Sequence, residues 1–184
     1  MLPVHLDLTN KHVLIAGGGR IAARRTSALC MEPCSITIVS PDICDEMANL
    51  IETYQLTWKK KKVDAEDVKD AFLIVAATDD PSVNEWMTQS ALPHQLVNCV
   101  SQSELGNVIV PKVVRAGKVT ISVSTSGASP ARTKQLAAAI ETLLEQEDVD
   151  ALNELYIERK KKDKEKADKI SSKDLIGSFL FSQL

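Results

Sequence analysis

Three consecutive glycines at 17–19 could hold a phosphate, because an apolar run ends at Ala16 just before them and an amphipathic segment follows. Read as strand, turn and helix, the stretch fits the pattern G-x-G-x-x-A, with Gly17, Gly19 and Ala22 at its key positions. The first glycine turns the chain sharply, the second leaves room for a pyrophosphate, and the alanine lets the helix pack closely on the sheet. The free N–H groups and the dipole of that helix attract phosphate. The stretch therefore predicts a dinucleotide site, provided that the surrounding chain forms a matching sheet.

Alternating strands and helices fill the rest of the first hundred residues. The run 72–77 is continuously apolar, which is typical of a parallel strand covered on both faces. Further strands are predicted at 35–40, from 56 to 58 and at 96–100, and helices at 20–31, at 43–54 and from 81 to about 92. This order predicts an α/β fold with a doubly wound parallel sheet of the Rossmann type. Ligands of such sheets lie beyond the carboxyl ends of the strands, near the reversal of strand order.

Polar residues follow several predicted strands at that edge. Ser40, Pro41 and Asp42 follow the second strand, where an acidic group binds ribose hydroxyls and repels a 2′-phosphate. Asp42 comes two residues later than the usual strand-end acid, and Ser40 holds the nearer position; the residues still favour NAD over NADP. The predicted cofactor-binding residues are Gly17, Gly19, Arg20, Ile21, Ala22, Ser40, Pro41, Asp42 and Thr78.

The pattern changes after residue 106. Val119, Ile121 and Val123 alternate with polar residues after a turn at 116–117, which predicts an antiparallel hairpin. Ser129 suits a helix N-cap and Pro130 the first helical position. The helix that follows carries an apolar stripe formed by Leu136, Ile140, Leu143 and Leu144. Because a short hairpin is not stable alone, we expect this unit to pack on the first domain or to pair with a second copy of the chain.

Bulk composition narrows the class of protein. An apolar share of 44%, a charged share of 26% and a net charge of −3 are ordinary for a globular protein and do not suggest a nucleic-acid binder. No apolar run approaches the ~20 residues of a membrane span, and the N-terminus lacks the regions of a signal peptide, so a cytoplasmic location is expected. The four cysteines show no C-x-x-C pair, which favours reduced thiols over a zinc site. The lysines at 59–62 are interpreted as protection of an edge strand.

Several separated motifs together resemble a known family. They are the stretch 13–24, Ala76-Ala77-Thr78-Asp79-Asp80, Val97-Asn98-Cys99-Val100, Ile109-Val110-Pro111 and 124–130, preceded by a lead-in with Pro3 and Leu6. In this order they resemble the precorrin-2 dehydrogenase family, which is related to the dehydrogenase and chelatase half of bifunctional sirohaem synthases. The resemblance covers about residues 1–145.

The resemblance implies an NAD-dependent oxidation of precorrin-2 to sirohydrochlorin, a step of sirohaem biosynthesis. It also implies a homodimer whose second units interlock. The expected organisation is a NAD-binding Rossmann-type domain over 1–106, a dimerisation and substrate-binding unit over 107–145, and a C-terminal helical segment over 146–184. In that segment, helices are predicted from about Asp148 and, after a cap at Ser171, at the end of the chain.

The implied substrate is a large tetrapyrrole fringed with carboxylates, so its site needs hydroxyls, backbone donors and cations. Ser124, Thr125 and Ser126 supply hydroxyls, and Lys112 and Arg115 supply positive charge. The alternative interpretation of the hydroxyl residues is a loop that caps its own helix, and that of the basic residues is a solvated surface.

The sequence leaves the identity of the catalytic group open. Relatives commonly carry an acidic residue where this chain has Ser101, and serine is neither a general base without a partner nor a good ligand for a hard divalent cation. Hydride transfer depends chiefly on positioning, because the cofactor carries the chemistry. The candidates for handling the proton are therefore Ser101, Asp79, His94 and Glu104, and no resident metal is expected.

Three alternatives keep the same fold. A bifunctional enzyme would also insert Fe²⁺ or Co²⁺ into sirohydrochlorin, with Asp79 or His94 in place of the missing acid. A non-catalytic nucleotide-sensing module would need no carboxylate-binding surface, so the serine-rich loop and the hairpin argue against it. A scaffold that carries the tetrapyrrole without oxidising it is the third.

Overall fold

A computed structural model of the protein describes residues 2–144 and 149–164. Contacts between residues divide the chain into two units, Met1–Val110 and Pro111–Leu184. The first unit contains a five-stranded parallel sheet, and the second contains an antiparallel hairpin and helices. No helix of the described ranges combines the length and the apolarity needed to cross a membrane.

The first unit is the predicted doubly wound Rossmann-type sheet. All neighbouring strands are parallel, in the order β3-β2-β1-β4-β5, and the direction of chain progression reverses between β1 and β4. The prediction of the fold class is therefore confirmed. The elements are β1 His12–Ala16, α1 Arg20–Leu29, β2 Ser35–Val39, α2 Asp45–Tyr54, β3 Thr57–Lys59, α3 Ala65–Lys69, β4 Leu73–Ala76, α4 Pro81–Ser90 and β5 Leu96–Cys99.

The central strands are apolar at every position because both faces of the sheet are covered. On one face Val13 and Ile15 join a core with Ala22 and Ala23 of α1. On the other face Leu14 and Ala16 join a second core, which includes Met87 of α4. Consecutive side chains of a strand point to opposite faces, so two covered faces require a continuous apolar run rather than an alternating one.

One helix of the first unit, α3, escaped the sequence prediction. It is only five residues long, but Asp64 caps it by accepting hydrogen bonds from the backbone N–H groups of Glu66 and Asp67. Asp64 N in turn donates a hydrogen bond to Asp67 Oδ2, which completes a capping box. The signal Asp-x-x-Asp was present in the sequence beside the lysine run.

Asp67 also holds two of those lysines. Its side chain is 1% exposed and lies 2.9 Å from Lys59 Nζ and 2.8 Å from Lys61 Nζ. Burial alone would raise the pKa of Asp67. The hydrogen bonds from Lys59, Lys61 and the backbone of Asp64 outweigh burial and lower this pKa from its ordinary 3.8 to about 2.

This arrangement predicts an acid-sensitive contribution to stability. Because the pKa is lower in the folded chain, the contribution is complete above pH 3.8, falls away between 3.8 and about 2, and amounts to about 2 kcal/mol. Asp67→Asn should therefore lower the free energy of unfolding at neutral pH by about that amount and flatten its decline in acid. Denaturant titrations at several pH values measure both effects. Asp70→Asn, which removes an exposed carboxylate three residues away, is the control; equal effects of the two substitutions would contradict the role given to Asp67.

The second unit forms the predicted hairpin and helix. β6 Lys112–Ala116 pairs antiparallel with β7 Val119–Val123, and α5 Pro130–Leu143 follows. Ser129 caps α5 by accepting a hydrogen bond from Arg132 N at 3.2 Å, as predicted. Residues 149–164 are helical. The helix predicted at the end of the chain lies outside the described residues.

The apolar residues of the second unit are only partly covered. Val114, Ala137 and Val149 are buried. In the stripe predicted for α5, Leu136 and Leu143 stay exposed, the latter to 77%. The helical stretch 149–164 exposes further large apolar side chains, namely Leu152, Leu155, Tyr156 and Ile157. Exposed apolar surface of this kind is typical of regions that contact another protein surface.

Candidate functional site

The glycine turn lies where the strand order reverses, between the carboxyl ends of β1 and β4. Gly17 has a φ of +121°, a conformation that side-chain-bearing residues rarely adopt. A Cβ atom there would lie 2.2 Å from Ala77 O, at the end of β4. Gly17 N also donates a hydrogen bond to Val39 O of β2 at 3.0 Å. Glycine is therefore required at this position for the three central strands to end side by side.

Gly18, which the pattern G-x-G-x-x-A leaves unspecified, is as constrained as its neighbour. A Cβ atom there would lie 2.0 Å from Asp42 O and 2.9 Å from the Cα atom of Ile43. Gly18 O accepts a hydrogen bond from Cys44 N at 2.9 Å. The middle glycine thus lets the turn after β1 pack against the loop after β2, a role that sequence reasoning missed.

Gly19 is different, because no heavy atom of the described residues lies within 4 Å of the place where its Cβ atom would be. It is the N-cap residue of α1, and no side chain caps that helix. Beside it, Arg20 and Ile21 are exposed, and Arg20 Nε lies 3.7 Å from Glu46 Oε1 in a loose ion pair. The N–H groups of a first helical turn have no partner within the helix. The start of α1 is therefore an open surface of backbone donors that fits a phosphate group.

Ala22 is fully buried, as its place in the pattern requires, and it packs α1 against the sheet.

The loop after β2 presents Asp42. Ser40 is buried, and its hydroxyl donates a hydrogen bond to Asp42 O at 2.6 Å. Trp58 Nε1 donates to Ser40 O at 3.0 Å, which ties the loop to β3. Pro41 and Asp42 are exposed. Ser40 therefore shapes the loop, and the side chain of Asp42 is exposed on it.

The lysines at 59–62 border this loop, and three of them are engaged within the unit. Asp67 holds Lys59 and Lys61, and Lys60 lies over the ring of Trp58, with Nζ 5.7 Å from the centroid. This arrangement agrees with the interpretation of the run as part of the edge of the sheet.

The loops after β4 and β5 meet at a buried amide. Asn84 of α4 is 1% exposed, and its Oδ1 accepts hydrogen bonds from Thr78 N at 3.0 Å and Thr78 Oγ1 at 2.8 Å. Its Nδ2 donates to Thr78 O at 3.0 Å and to Ser101 Oγ at 3.3 Å. Two predicted site residues, Thr78 and Ser101, are therefore brought together by a third that sequence reasoning did not identify. The only signal for Asn84 was a polar residue on the inner face of a predicted helix.

The other candidates for handling the proton, namely Asp79, Glu104 and His94, do not all lie at the same edge of the sheet. Asp79 is exposed in the loop beside Thr78. Glu104 is exposed in the segment that leaves β5 and folds back along it, where Asn107 N donates to Val97 O. His94 precedes Leu96, the first residue of β5, and so lies at the amino edge of the sheet, opposite the glycine turn. The structure does not bring His94 together with the other three.

In the second unit, the three predicted hydroxyl residues have different environments. Thr125 Oγ1 lies 2.8 Å from Thr133 Oγ1 and accepts a hydrogen bond from Ser129 N at 3.2 Å, so it helps to hold the start of α5. Ser124 Oγ accepts a hydrogen bond from Ser126 N at 3.1 Å, and both residues are exposed. Ser124 and Ser126 therefore present hydroxyls to solvent, whereas Thr125 performs the structural role that was the alternative interpretation.

The two predicted basic residues lie on opposite faces of the hairpin. Lys112 pairs with Val123 and Arg115 with Thr120, and alternate residues of a strand face opposite sides. Lys112 thus shares the face of Val114, which is buried, while Arg115 shares the face of Thr120 and Ser122.

No group of three or more His, Cys, Asp or Glu side chains within the described ranges is placed to hold a metal ion. All four cysteines are free thiols. Burial is the main reason that the pKa values of Cys30 and Cys34 are raised, which keeps both thiols protonated.

The first unit has the features of a class of proteins. A parallel sheet in the order 3-2-1-4-5, with an uncapped helix N-terminus at the point of reversal, defines a dinucleotide-binding Rossmann domain. A family model for NAD(P)-binding domains, NAD_binding_7, matches residues 4–112.

Individual relatives specify the family. The chain is 50% identical over 162 residues to a precorrin-2 dehydrogenase of Bacillus subtilis (strain 168), covering 88% of this chain and 100% of that relative. It is 40% identical over 136 residues to a precorrin-2 dehydrogenase of Priestia megaterium, covering 74% and 67% of the two chains. The solved structure of SirC, a precorrin-2 dehydrogenase, superposes with a TM-score of 0.73 at 35% identity, covering 85% of this chain and 77% of that one. The chain belongs to the precorrin-2 dehydrogenase family.

Proposed function

We propose that this protein oxidises precorrin-2 to sirohydrochlorin with NAD⁺, as a step of sirohaem biosynthesis. The observation that carries the proposal is the open, uncapped start of α1 at the reversal of strand order, in a chain half identical to a precorrin-2 dehydrogenase along that relative's full length. When bound, NAD⁺ supplies the acceptor for a hydride, and one proton leaves the substrate for each NADH formed.

In this proposal the first unit holds the cofactor. The backbone at Gly19, Arg20 and Ile21 donates to the pyrophosphate, and Gly17 and Ala22 shape the turn and the helix that present those donors. Asp42 accepts hydrogen bonds from ribose hydroxyls, in a loop shaped by Ser40 and Pro41.

We assign Thr78 to the cofactor-binding surface as a hydrogen-bond acceptor, through the lone pairs of its Oγ1 atom. Its single hydroxyl proton has internal acceptors, Asn84 Oδ1 at 2.8 Å and Asp80 O at 3.0 Å.

The second unit contacts the tetrapyrrole. Ser124 and Ser126 have exposed hydroxyls suited to carboxylates, and Arg115 is a basic residue on the neighbouring strand. Lys112 points to the other face of the hairpin, so we assign it a weaker role. Thr125 acts indirectly, by fixing the loop to α5.

We also infer that the protein is a homodimer in the cytoplasm. Support for the dimer comes from the exposed apolar side chains of α5 and of 149–164, which need a partner surface. Support for the location comes from four free thiols, a state typical of a reducing compartment.

The dimer is testable at Leu143, which is 77% exposed on α5. Leu143→Glu should raise the dimer dissociation constant about 100-fold or more, because a two-fold interface carries each substitution twice and buries a charge at each site. Sedimentation velocity over a range of concentrations measures it. Thr142→Glu adds the same charge at the adjacent exposed position and should have a much smaller effect. A wild-type chain that sediments as a monomer throughout would contradict the proposal.

The activity itself is tested with purified protein, precorrin-2 and NAD⁺, following NADH absorbance under anaerobic conditions. We expect NADH formation in proportion to enzyme concentration, and sirohydrochlorin as the product. No NADH above a protein-free control would refute the proposal. A second stage adds Fe²⁺ or Co²⁺: metal insertion no faster than in the control confines the activity to dehydrogenation.

A further inference from the structure

The side-chain amide of Asn84 has a single possible orientation. Thr78 N–H can only donate a hydrogen bond and Thr78 C=O can only accept one, so Oδ1 of Asn84 must face the former and Nδ2 the latter. The second proton of Nδ2 then points to Ser101 Oγ, 3.3 Å away. Asn84 is 1% exposed, and its two donors and its acceptor oxygen are all used within the unit.

This orientation determines what Ser101 can do. Its Oγ accepts a hydrogen bond from Asn84, so the hydroxyl proton must point elsewhere. Within the described part of the chain, the other hydrogen-bond partner of Ser101 Oγ is Cys99 Sγ at 3.6 Å, a weak acceptor that can itself act as the donor. Neither neighbour is a base that could remove the proton from Ser101. The exposed hydroxyl is therefore arranged as a hydrogen-bond donor and not as a general base.

The position of Ser101 indicates which half of a dinucleotide it faces. A dinucleotide crosses the reversal of strand order, with its pyrophosphate at the start of α1. Asp42, placed for the adenosine ribose, follows β2 on one side of the reversal, and Ser101 follows β5 on the other side. The loops after β4 and β5 consequently border the nicotinamide half, where hydride transfer takes place.

We propose that Ser101 donates a hydrogen bond to an oxygen atom of the bound reactants, and that Asn84 is the positioning residue that keeps this donor available. The oxygen is a carbonyl or carboxylate acceptor, from either the nicotinamide carboxamide or a carboxylate of the tetrapyrrole. This inference rests on the proposed function.

The first arm of the test compares two cofactor probes by isothermal titration calorimetry. ADP-ribose contains the adenosine, the pyrophosphate and a second ribose, but no nicotinamide. If Ser101 contacts the carboxamide, Ser101→Ala raises the Kd of NAD⁺ about fivefold and leaves the Kd of ADP-ribose unchanged. Ser101→Thr, which keeps the hydroxyl, restores the wild-type value. Ser103→Ala, the same substitution two residues along the same loop, is the matched control.

The second arm measures steady-state kinetics with precorrin-2. If Ser101 contacts a substrate carboxylate, Ser101→Ala leaves both calorimetric constants unchanged and raises KM for precorrin-2 by about 10- to 100-fold, the larger effect expected of a charged acceptor. Ser101→Thr again restores the wild-type KM for precorrin-2. A change in either arm that threonine reverses supports a ligand-facing donor.

Asn84→Asp tests the positioning role. An aspartate at 84 can still accept a hydrogen bond from Thr78 N, but it cannot donate one to Ser101. Instead it accepts a hydrogen bond from the Ser101 hydroxyl. Asn84→Asp should therefore reproduce the effect of Ser101→Ala while Ser101 is intact, and the double variant should be no worse than either single variant. If the new negative charge acted by simple repulsion, it would raise the Kd of ADP-ribose as well. The Kd of ADP-ribose therefore distinguishes charge repulsion from the loss of the Ser101 donor. Thermal denaturation shows whether the variant folds, and the Ser101 variants stand independently of it.

Unchanged constants for Ser101→Ala in both arms would overturn the proposal. So would equal weakening of NAD⁺ and ADP-ribose, since that pattern marks a general disturbance of the fold. Failure of the underlying function looks different: the wild-type protein would bind neither probe, or would bind both and form no NADH.

Discussion

Replacing Gly19 with aspartate is expected to abolish NAD⁺ binding in a protein that remains at least as stable as the wild type. Gly19 has open space around it and an extended backbone, with φ −78° and ψ 180°, so a side chain meets neither clash nor strain. Aspartate is moreover a favourable N-cap residue, which should stabilise α1 by about 0.5–1 kcal/mol relative to an uncapped start. The same carboxylate occupies the donors that a pyrophosphate needs and repels its charge. We expect the Kd of NAD⁺ to rise more than 100-fold.

Two further variants at this position separate the causes. In Gly19→Asn, the asparagine side chain has nearly the same shape as aspartate and also caps the helix, but it carries no charge. This variant should therefore raise the Kd of NAD⁺ less than Gly19→Asp does. Gly19→Ala adds only a methyl group and should have the smallest effect. Calorimetry with NAD⁺ and thermal denaturation of the same samples give both quantities. Full NAD⁺ affinity in Gly19→Asp would show that the cofactor binds elsewhere.

The fold was predictable because each of its signals is local. Continuous apolar runs such as 72–77 indicate strands covered on both faces, and the glycine turn indicates how β1 leads into α1. The cap at Ser129 was equally readable, since the capping interaction spans only three residues. Each of these features depends on neighbours in sequence.

The parts of the site that escaped prediction depend on distant neighbours. Gly18 is constrained by Asp42 O, and Asn84 acts through Ser101, seventeen residues away. The opposite faces of Lys112 and Arg115 follow from the alternation of side chains along β6, once the bounds of that strand are known. His94 lay within a plausible stretch, yet its position before β5 places it at the far edge of the sheet. Side-chain roles need the three-dimensional register that spacing alone does not supply.

A large effect is also expected at Gly17, the first glycine of the turn. There a substitution should impair folding rather than cofactor binding. Gly17→Ala forces a side chain into a backbone conformation with φ +121° and places its Cβ atom 2.2 Å from Ala77 O. Relief requires β1 and β4 to move apart at the centre of the sheet. Strain and overpacking together should lower the free energy of unfolding by about 3 kcal/mol or more, which corresponds to roughly 6–12 °C in Tm for a chain of this size.

Gly127→Ala is the matched control for that experiment. Gly127 also has a positive φ, +85°, but within the ranges that the structure describes no heavy atom lies within 4 Å of its would-be Cβ atom. The control therefore carries the conformational penalty without the clash and should lower Tm by only about 2–4 °C. The difference between the two variants measures the close approach of β1 and β4. Equal losses of Tm would mean that the two strand ends are farther apart than described, and that the glycine serves the turn alone.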